Sequence, residues 1–465
     1  MTPVIRKGPR IETTNGSDRP LSIMYRNVND LKLDPGNPRL HSPKQIRQIA
    51  RSIEAFGFNM PVLINADGQL IAGHGRVLAA QLLGMTRVPT IMLEHLSETQ
   101  IRGFMIADNR LTDNSEWDEQ LLAEQLKALS VLDLDFSIEV TGFEMGEIDV
   151  FIEGLAPAMD DSQDPADSIP ETPASVRVSQ PGDLWLLDKH RLLCGDALDS
   201  ESYTKLMDGK RAAVVFADPP YNVPIDGHAT GLGKIRHSDF LMACGEMNEA
   251  EFTDFLACAF RLLALNSKDG AIHFVCMDWR HMAELLTAGR RAYQELKNLC
   301  VWAKDNAGMG SLYRSQHELI FVFKNGQSAH RNNVQLGQFG RYRTNVWHYP
   351  GVNTFRAGRL DDLQAHPTAK PVALVADAMR DCTRRRDIVL DTFSGSGTTI
   401  LAAERVGRHA RALELEPRFV DVAIRRWQGF TRRDALHADS GRTFDEIAAE
   451  RLGGNIRPAA RRSKR

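Results

Sequence analysis

Asp218-Pro219-Pro220-Tyr221-Asn222 follows an apolar run, Ala213 to Ala217, that reads as a buried strand. Consecutive prolines end strand pairing and stiffen the exit. Pro220 also confines Pro219 to extended backbone, which fixes where the Pro219 carbonyl points. An Asp carboxylate and an oriented carbonyl then stand side by side as two acceptors, and the Tyr221 ring offers a flat surface. Two acceptors facing a stacked ring suit an –NH₂ group, which has two hydrogens to give. The amine of adenine or cytosine is a poor nucleophile because its lone pair is delocalised into the ring. Hydrogen bonds from both N–H groups would draw the nitrogen toward a tetrahedral form able to attack a sulfonium methyl. Such help is orientation and hydrogen bonding, not strong base chemistry. Inside a duplex that amine is out of reach, so the base must be flipped out, with Tyr221 compensating its lost stacking. Taken alone, Asp-Pro-Pro is equally a plain strand-ending turn.

A second constellation is Asp391-Thr392-Phe393-Ser394-Gly395-Ser396-Gly397-Thr398-Thr399, placed between a predicted strand, Ile388 to Leu390, and a predicted helix, Ile400 to Val406. Glycine turns at such junctions are where open α/β sheets bind ligands. Gly395 and Gly397 allow a tight turn and close approach to the backbone, and the helix start offers N–H groups to an anion such as a cofactor carboxylate. A following strand, His409 to Leu413, ends at Glu414, where a carboxylate can take both ribose hydroxyls of a nucleoside. NAD and S-adenosylmethionine both fit that pair. The missing third glycine counts against NAD.

The elements that must position these groups form a long chain. At 465 residues, two or three domains are expected. Apolar content of 43% and charged content of 25% are ordinary for a soluble globular protein, and a net charge of −3 neither favours nor opposes a DNA partner. Six dispersed cysteines without a Cys-x-x-Cys pair read as buried thiols in a reducing compartment. With no signal core and no long apolar run, the reading is cytoplasmic, without a membrane partner. Residues 1–20 read as a flexible arm. Residues 21–155 read as a compact α+β domain. In it Ser42 caps a helix with Pro43 in its first turn and Gln45 completing a capping box. Val62 to Asn65 and Gln69 to Ala72 form a hairpin at Asp67-Gly68. A helix runs from Arg76 to Leu83, strand Val88 to Leu93 follows, and helices lie near Thr99 to Ala107 and Glu116 to Leu129. Residues 156–177 form an Asp/Pro/Ser/Ala-rich linker. Residues 178–430 alternate strand and helix as an α/β domain, and 431–465 end in a basic tail, with five Arg or Lys between Arg457 and Arg465.

Taken together, these residues resemble the amino-methyltransferase family of DNA methylases. Asp218-Pro219-Pro220-Tyr221 resembles the family's catalytic motif and Phe393-Ser394-Gly395-Ser396-Gly397 its cofactor loop. His366-Pro367-Thr368-Ala369-Lys370-Pro371 resembles the element just before that loop, with Ala369 where glutamine is usual; Thr392 stands where proline is frequent. Gly195-Asp196 resembles the position whose acid contacts the cofactor adenine. With the catalytic motif ahead of the cofactor loop, the order resembles the circularly permuted β group. Trp302-Ala303-Lys304 and His317-Glu318-Leu319-Ile320 look like that group's strand elements. The resemblance implies a Rossmann-like, S-adenosylmethionine-dependent methyltransferase acting on double-stranded DNA. Asp218, Pro219, Pro220 and Tyr221 would be catalytic. Asp196, Thr368, Lys370, Asp391, Phe393, Ser394, Gly395, Gly397, Thr398 and Glu414 would hold the cofactor. Residues 325–364, with Arg331, Arg341, Tyr342, Arg343, Trp347 and Tyr349, would read the DNA. An acid at the first motif position favours adenine N6, since cytosine-N4 members more often begin with serine.

Ile71-Ala72-Gly73-His74-Gly75-Arg76 resembles the ParB/sulfiredoxin-like domain. Ala107-Asp108-Asn109-Arg110 and Ser115-Glu116-Trp117 resemble versions fused to methylases in phage and prophage. Gly73, His74, Gly75 and Arg76 could grip a nucleotide phosphate, though His74 serves equally for local packing. No clustered acids suggest a metal. A homodimer, a restriction partner, cytosine N4 as target, and a ParB-like DNA-binding regulator with a vestigial methylase half all stay open.

Overall fold

The computed structural model describes residues 21–155, 164–168, 177–222, 245–305, 312–338, 340–351 and 370–453. The arm before residue 21, most of the linker, Thr368, residues 352–364 of the recognition region and the basic stretch from Arg457 lie outside the described residues. The chain divides into two units. One runs to Glu119 and takes in Asp133–Phe143; the other holds Gln120–Leu132 and everything from Glu144 onward.

The first unit contains β1 (Ile23–Asn27), α1 (Pro43–Phe56), β2 (Val62–Ile64), β3 (Leu70–Ala72), α2 (His74–Leu82), β4 (Arg87–Met92) and α3 (Glu98–Asp113). Its strands are ordered β1-β4-β2-β3. The β2–β3 hairpin closes as its turn residues require: Asn65 Oδ1 accepts from the Asp67 and Gln69 amides, at 3.0 and 2.8 Å, and Gly68 takes φ 76. Ser42 caps α1 through the Gln45 amide at 3.1 Å. The second half of the expected capping box is absent, because the Gln45 side chain pairs with His41 Nδ1 at 3.0 Å. At the start of α2, Gly73 sits at φ 98, and a Cβ there would come within 2.7 Å of Val62 Cγ1. Only glycine satisfies both demands.

The second unit opens with α4 (Glu119–Val131, all but its first residue in this unit) and α5 (Met145–Gly154). It continues with β5 (Leu184–Leu187), β6 (His190–Cys194), α6 (Ser200–Met207), β7 (Ala212–Ala217), α7 (Glu249–Leu265) and β8 (Ser267–Met277). Then come α8 (Met282–Ala292), β9 (Glu295–Ala303), β10 (His317–Lys324), β11 (Val346–His348), α9 (Val372–Cys382), β12 (Ile388–Asp391) and α10 (Thr398–Val406). β13 (His409–Glu414), α11 (Pro417–Thr431), β14 (Leu436–His437) and α12 (Phe444–Arg451) complete it. The strands lie in the order β11-β9-β10-β8-β7-β12-β13-β6-β5-β14.

Strand alternation builds two cores, one on each sheet face. Val214 and Phe216 of β7 pack with Ile400, Val420 and Trp427, whereas Val215 and Ala217 pack with Phe252, Phe260 and Tyr203. Direction matters more for function. β6, β13, β12, β7 and β8 run parallel; β10 is antiparallel to β8, and β9 antiparallel to β10. The carboxyl ends of β6, β13, β12, β7 and β9 therefore share one sheet edge with the amino end of β10.

Away from that edge, Arg408 is fully buried and clasps Asp149 of α5 through Nη1 and Nη2, at 3.0 and 2.7 Å. Its Nε donates to Thr383 Oγ1 at 3.0 Å, and Arg385 adds a bond to Asp149 at 3.1 Å. Despite burial, these guanidiniums hold the Asp149 carboxyl below its ordinary range. No helix among the described residues is long and apolar enough to cross a membrane.

Candidate active site

Asp218 leaves the end of β7, and Asp391 ends the neighbouring strand β12, with Val215 facing Leu390 in register. Paired strands lie about 4.8 Å apart, so the Asp-Pro-Pro-Tyr exit and the glycine turn emerge side by side. On the β7 side, the Tyr221 hydroxyl donates to Asp218 Oδ1 at 2.7 Å and lies 3.2 Å from Glu318 Oε2. Lys370 donates to Asp218 Oδ2 at 2.6 Å and lies 3.1 Å from Glu318 Oε2. Lys304 closes the cluster by pairing with Glu318 Oε1, and its ammonium stands 4.5 Å from the Trp302 ring centre. Asn222, left-handed at φ 53, ties the strand exit down: its side chain donates to the Met247 carbonyl at 2.7 Å and accepts from Gly245 N at 3.0 Å.

The charges are interlocked. Burial pushes the Asp218 carboxyl up, with Lys370 opposing. Burial also presses on Glu318, but Lys370 and Lys304 win and hold it down to about 2. Lys370 stays firmly protonated: burial disfavours its charge, and the two carboxylates more than offset that. Burial and the neighbouring carboxylates keep Tyr221 a phenol.

The β12–β13 side forms the second half of the site. Gly397 sits at φ 82 at the start of α10, and a Cβ there would meet Ala423 Cβ of α11 at 2.7 Å. Gly395, at φ 50, donates its N–H to Glu414 Oε2 at 2.7 Å, while Glu414 Oε1 accepts from Glu416 N at 2.9 Å. Gly195 N donates to the Glu414 carbonyl at 3.0 Å, drawing the β6 exit and Asp196 alongside. Asp196 Oδ1 accepts from Leu198 N at 2.8 Å. Phe393 remains partly exposed, its ring 6.3 Å from Phe255. Burial raises both Asp391 and Glu414 to about 7. The buried Ser394 hydroxyl has no hydrogen-bond partner among the described residues. Two desolvated carboxylates and a hydroxyl without a partner among the described residues are what a polar nucleoside ligand would satisfy, so these residues fit such a cofactor.

Asp196, Asp391, Phe393, Ser394, Gly395, Gly397, Thr398 and Glu414 thus gather with Asp218–Tyr221 at one edge. Lys370, expected with the cofactor residues, is placed against Asp218 instead. Glu318 and Lys304, which the sequence marks only as parts of strand elements, sit within the cluster. Buried Arg426 was not foreseen: it donates to the Ser396 carbonyl at 3.1 Å and to Thr398 Oγ1 at 3.1 Å, under the glycine turn. Several residues expected to face DNA do not. Arg341 is buried and bonds Asp381 at 2.7 Å; Arg343 bonds Asp381 at 3.1 Å and stacks over Trp347 at 4.9 Å. Asp377 and Asp381 of α9 neutralise them, so they hold the fold rather than phosphates. Tyr342 is exposed.

The DNA methylase family matches residues 212–425, the ParB-methyltransferase helix–turn–helix domain 120–181, and the ParB N-terminal domain 20–109. The chain is 46% identical over 80 residues to the ParB-like nuclease domain-containing protein YnaK of Escherichia coli K12, covering 17% of this chain and 92% of that protein. It is 25% identical over 229 residues to the type II methyltransferase M2.MboI of Moraxella bovis, covering 47% of this chain and 81% of that one. Among solved structures, the cytosine-N4-specific PvuII DNA methyltransferase aligns at 15% identity and a TM-score of 0.40, over 60% of this chain and 95% of that one. The chain carries an N6/N4 DNA methylase domain, with a ParB N-terminal domain and a ParB-methyltransferase helix–turn–helix domain ahead of it.

Proposed function

We propose that this cytoplasmic enzyme methylates the exocyclic N6 amine of an adenine flipped out of double-stranded DNA. S-adenosylmethionine, held by Glu414, Asp196 and the glycine turn, would supply the methyl on a sulfonium that departs as a neutral thioether as the N–C bond forms, the amine giving up one proton to solvent. Asp218 and the Pro219 carbonyl accept the two amine N–H groups and orient the lone pair. Tyr221, fixed through its hydroxyl to Asp218, presents the stacking surface. Glu414 and Asp196 serve the nucleoside of the cofactor; Phe393 and the turn Ser394–Thr398 line its site, with Arg426 lending positive charge beneath. The observation that carries this reading is the exit of Asp218 and Asp391 from paired strands at one edge.

Adenine is preferred because the motif begins with an acid. In the first unit, Gly73–Arg76 is read as a phosphate or nucleotide contact, although His74 Nε2 already faces the Asp34 amide at 3.4 Å. The test is to incubate unmethylated DNA with the chain and S-adenosylmethionine and weigh the digested nucleosides. N6-methyladenine is expected. N4-methylcytosine would overturn the choice of base, and no incorporation into varied DNA would overturn the enzyme.

A further inference from the structure

Asp218 can accept from an amine only as a carboxylate, and its neighbours pull on that charge in opposite directions. Tyr221 faces it from its own loop, Glu318 from β10, Lys370 from just before α9, Cys276 from β8 and Asp391 from β12. Burial, Glu318 and Asp391 favour the neutral acid. Among the described residues facing Asp218, Lys370 alone brings positive charge, 2.6 Å from Oδ2. Lys370 is the inner partner: its side chain is 4% exposed against 19% for Asp218. It is itself held at 3.1 Å by Glu318, whose other oxygen is pinned by Lys304.

We infer that Lys370 is a positioning residue that keeps Asp218 ionised and leaves its outward lone pairs to the amine. The inference rests on the role given to Asp218 above. Without the ammonium, Asp218 and Glu318 become two like charges in one desolvated site, and the pair retains a proton. A neutral Asp218 offers the amine one acceptor fewer.

The full-length chain is assayed for kcat against pH, with DNA and cofactor saturating, as wild type, Lys370→Gln, Lys370→Arg and Glu318→Gln. In Lys370→Gln the acid limb is expected to move up by about 1–3 pH units, the span an adjacent opposite charge commands. Lys370→Arg restores the wild-type limb because it restores the charge. Glu318→Gln moves the limb toward acid by removing the competing carboxylate. A Lys370→Gln limb at the wild-type position, with only the cofactor KM raised, would overturn the inference in favour of cofactor contact. Should Lys370→Gln not fold, Glu318→Gln decides: a limb unmoved or moved upward overturns it. A wild-type chain that transfers no methyl group gives no profile, and that result overturns the underlying reading instead.

Discussion

Two clusters of buried charge in the larger unit use the same ingredients and end in different states. Around Asp149 and Arg408 every polar partner is supplied by protein: the bidentate pair is closed by Thr383, Val406 and Arg385, with side-chain exposures of 1% and 0%. Around Asp218 the charges balance, yet Asp218, Glu318 and Lys304 keep 19%, 18% and 24% of their side chains open. A closed cluster has no further ligand to accept and acts as a clasp between α5 and the methylase sheet. An open one holds a carboxylate, pressed upward by burial, that another donor can still reach. Completeness of hydrogen bonding, not burial alone, separates scaffold from site.

Breaking the clasp should have the largest effect on stability. Arg408→Met removes the bidentate partner of buried Asp149 and leaves it only the bond from Arg385, and a loss of about 3–5 kcal/mol is expected in urea denaturation. The double variant Asp149→Leu/Arg408→Met should recover part of it, because the buried Asp149 charge is gone, while Arg385, 12% exposed, loses its carboxylate. Equal losses in the single and double variants would show that packing, not charge, holds α5.

The next effect lies at Glu414. Its carboxyl, raised to about 7 by burial, is protonated more readily in the folded than in the unfolded chain. The corresponding stability is present in acid and lost as pH rises through about 7. Hydroxyl donors of a nucleoside prefer the ionised carboxylate, so cofactor affinity should strengthen over the same window while the cofactor-free chain weakens. Glu414→Gln should weaken cofactor binding about tenfold (~1.4 kcal/mol) and abolish that rise in affinity. It should flatten the stability slope only in part, since burial raises Asp391 to about 7 as well. Calorimetric titrations at several pH values check the first expectation and thermal melts the second. The smallest effect belongs to the exposed pair Arg425–Asp445: Arg425→Ala should shift stability by no more than about 1 kcal/mol, setting the scale for a pair open to water.

Much of the methylase core was legible because its signals are local. The strand ending at Asp218, the glycine turn before α10 and the strand ending at Glu414 each declare themselves within a few consecutive residues. Helix starts were less exact: α2 begins at His74, two residues before the expected Arg76, because the left-handed Gly73 already turns the chain. What stayed hidden depends on long-range pairing. Glu318 joins Asp218 because β10 runs antiparallel to β8, a direction no local pattern encodes. Asp149 and Arg408 stand 259 positions apart. Arg341 and Arg343 looked like DNA contacts because the acids that neutralise them, Asp377 and Asp381, lie on a different element.

The most direct test of the account sets catalysis against cofactor binding in one preparation of Asp218→Ala. Single-turnover methyl transfer should fall by about 10²–10³-fold or more, while the equilibrium affinity for S-adenosylmethionine stays at the wild-type value. Transfer at the wild-type rate, or a loss explained entirely by weakened cofactor binding, would contradict the division of this sheet edge into an acceptor side and a donor side.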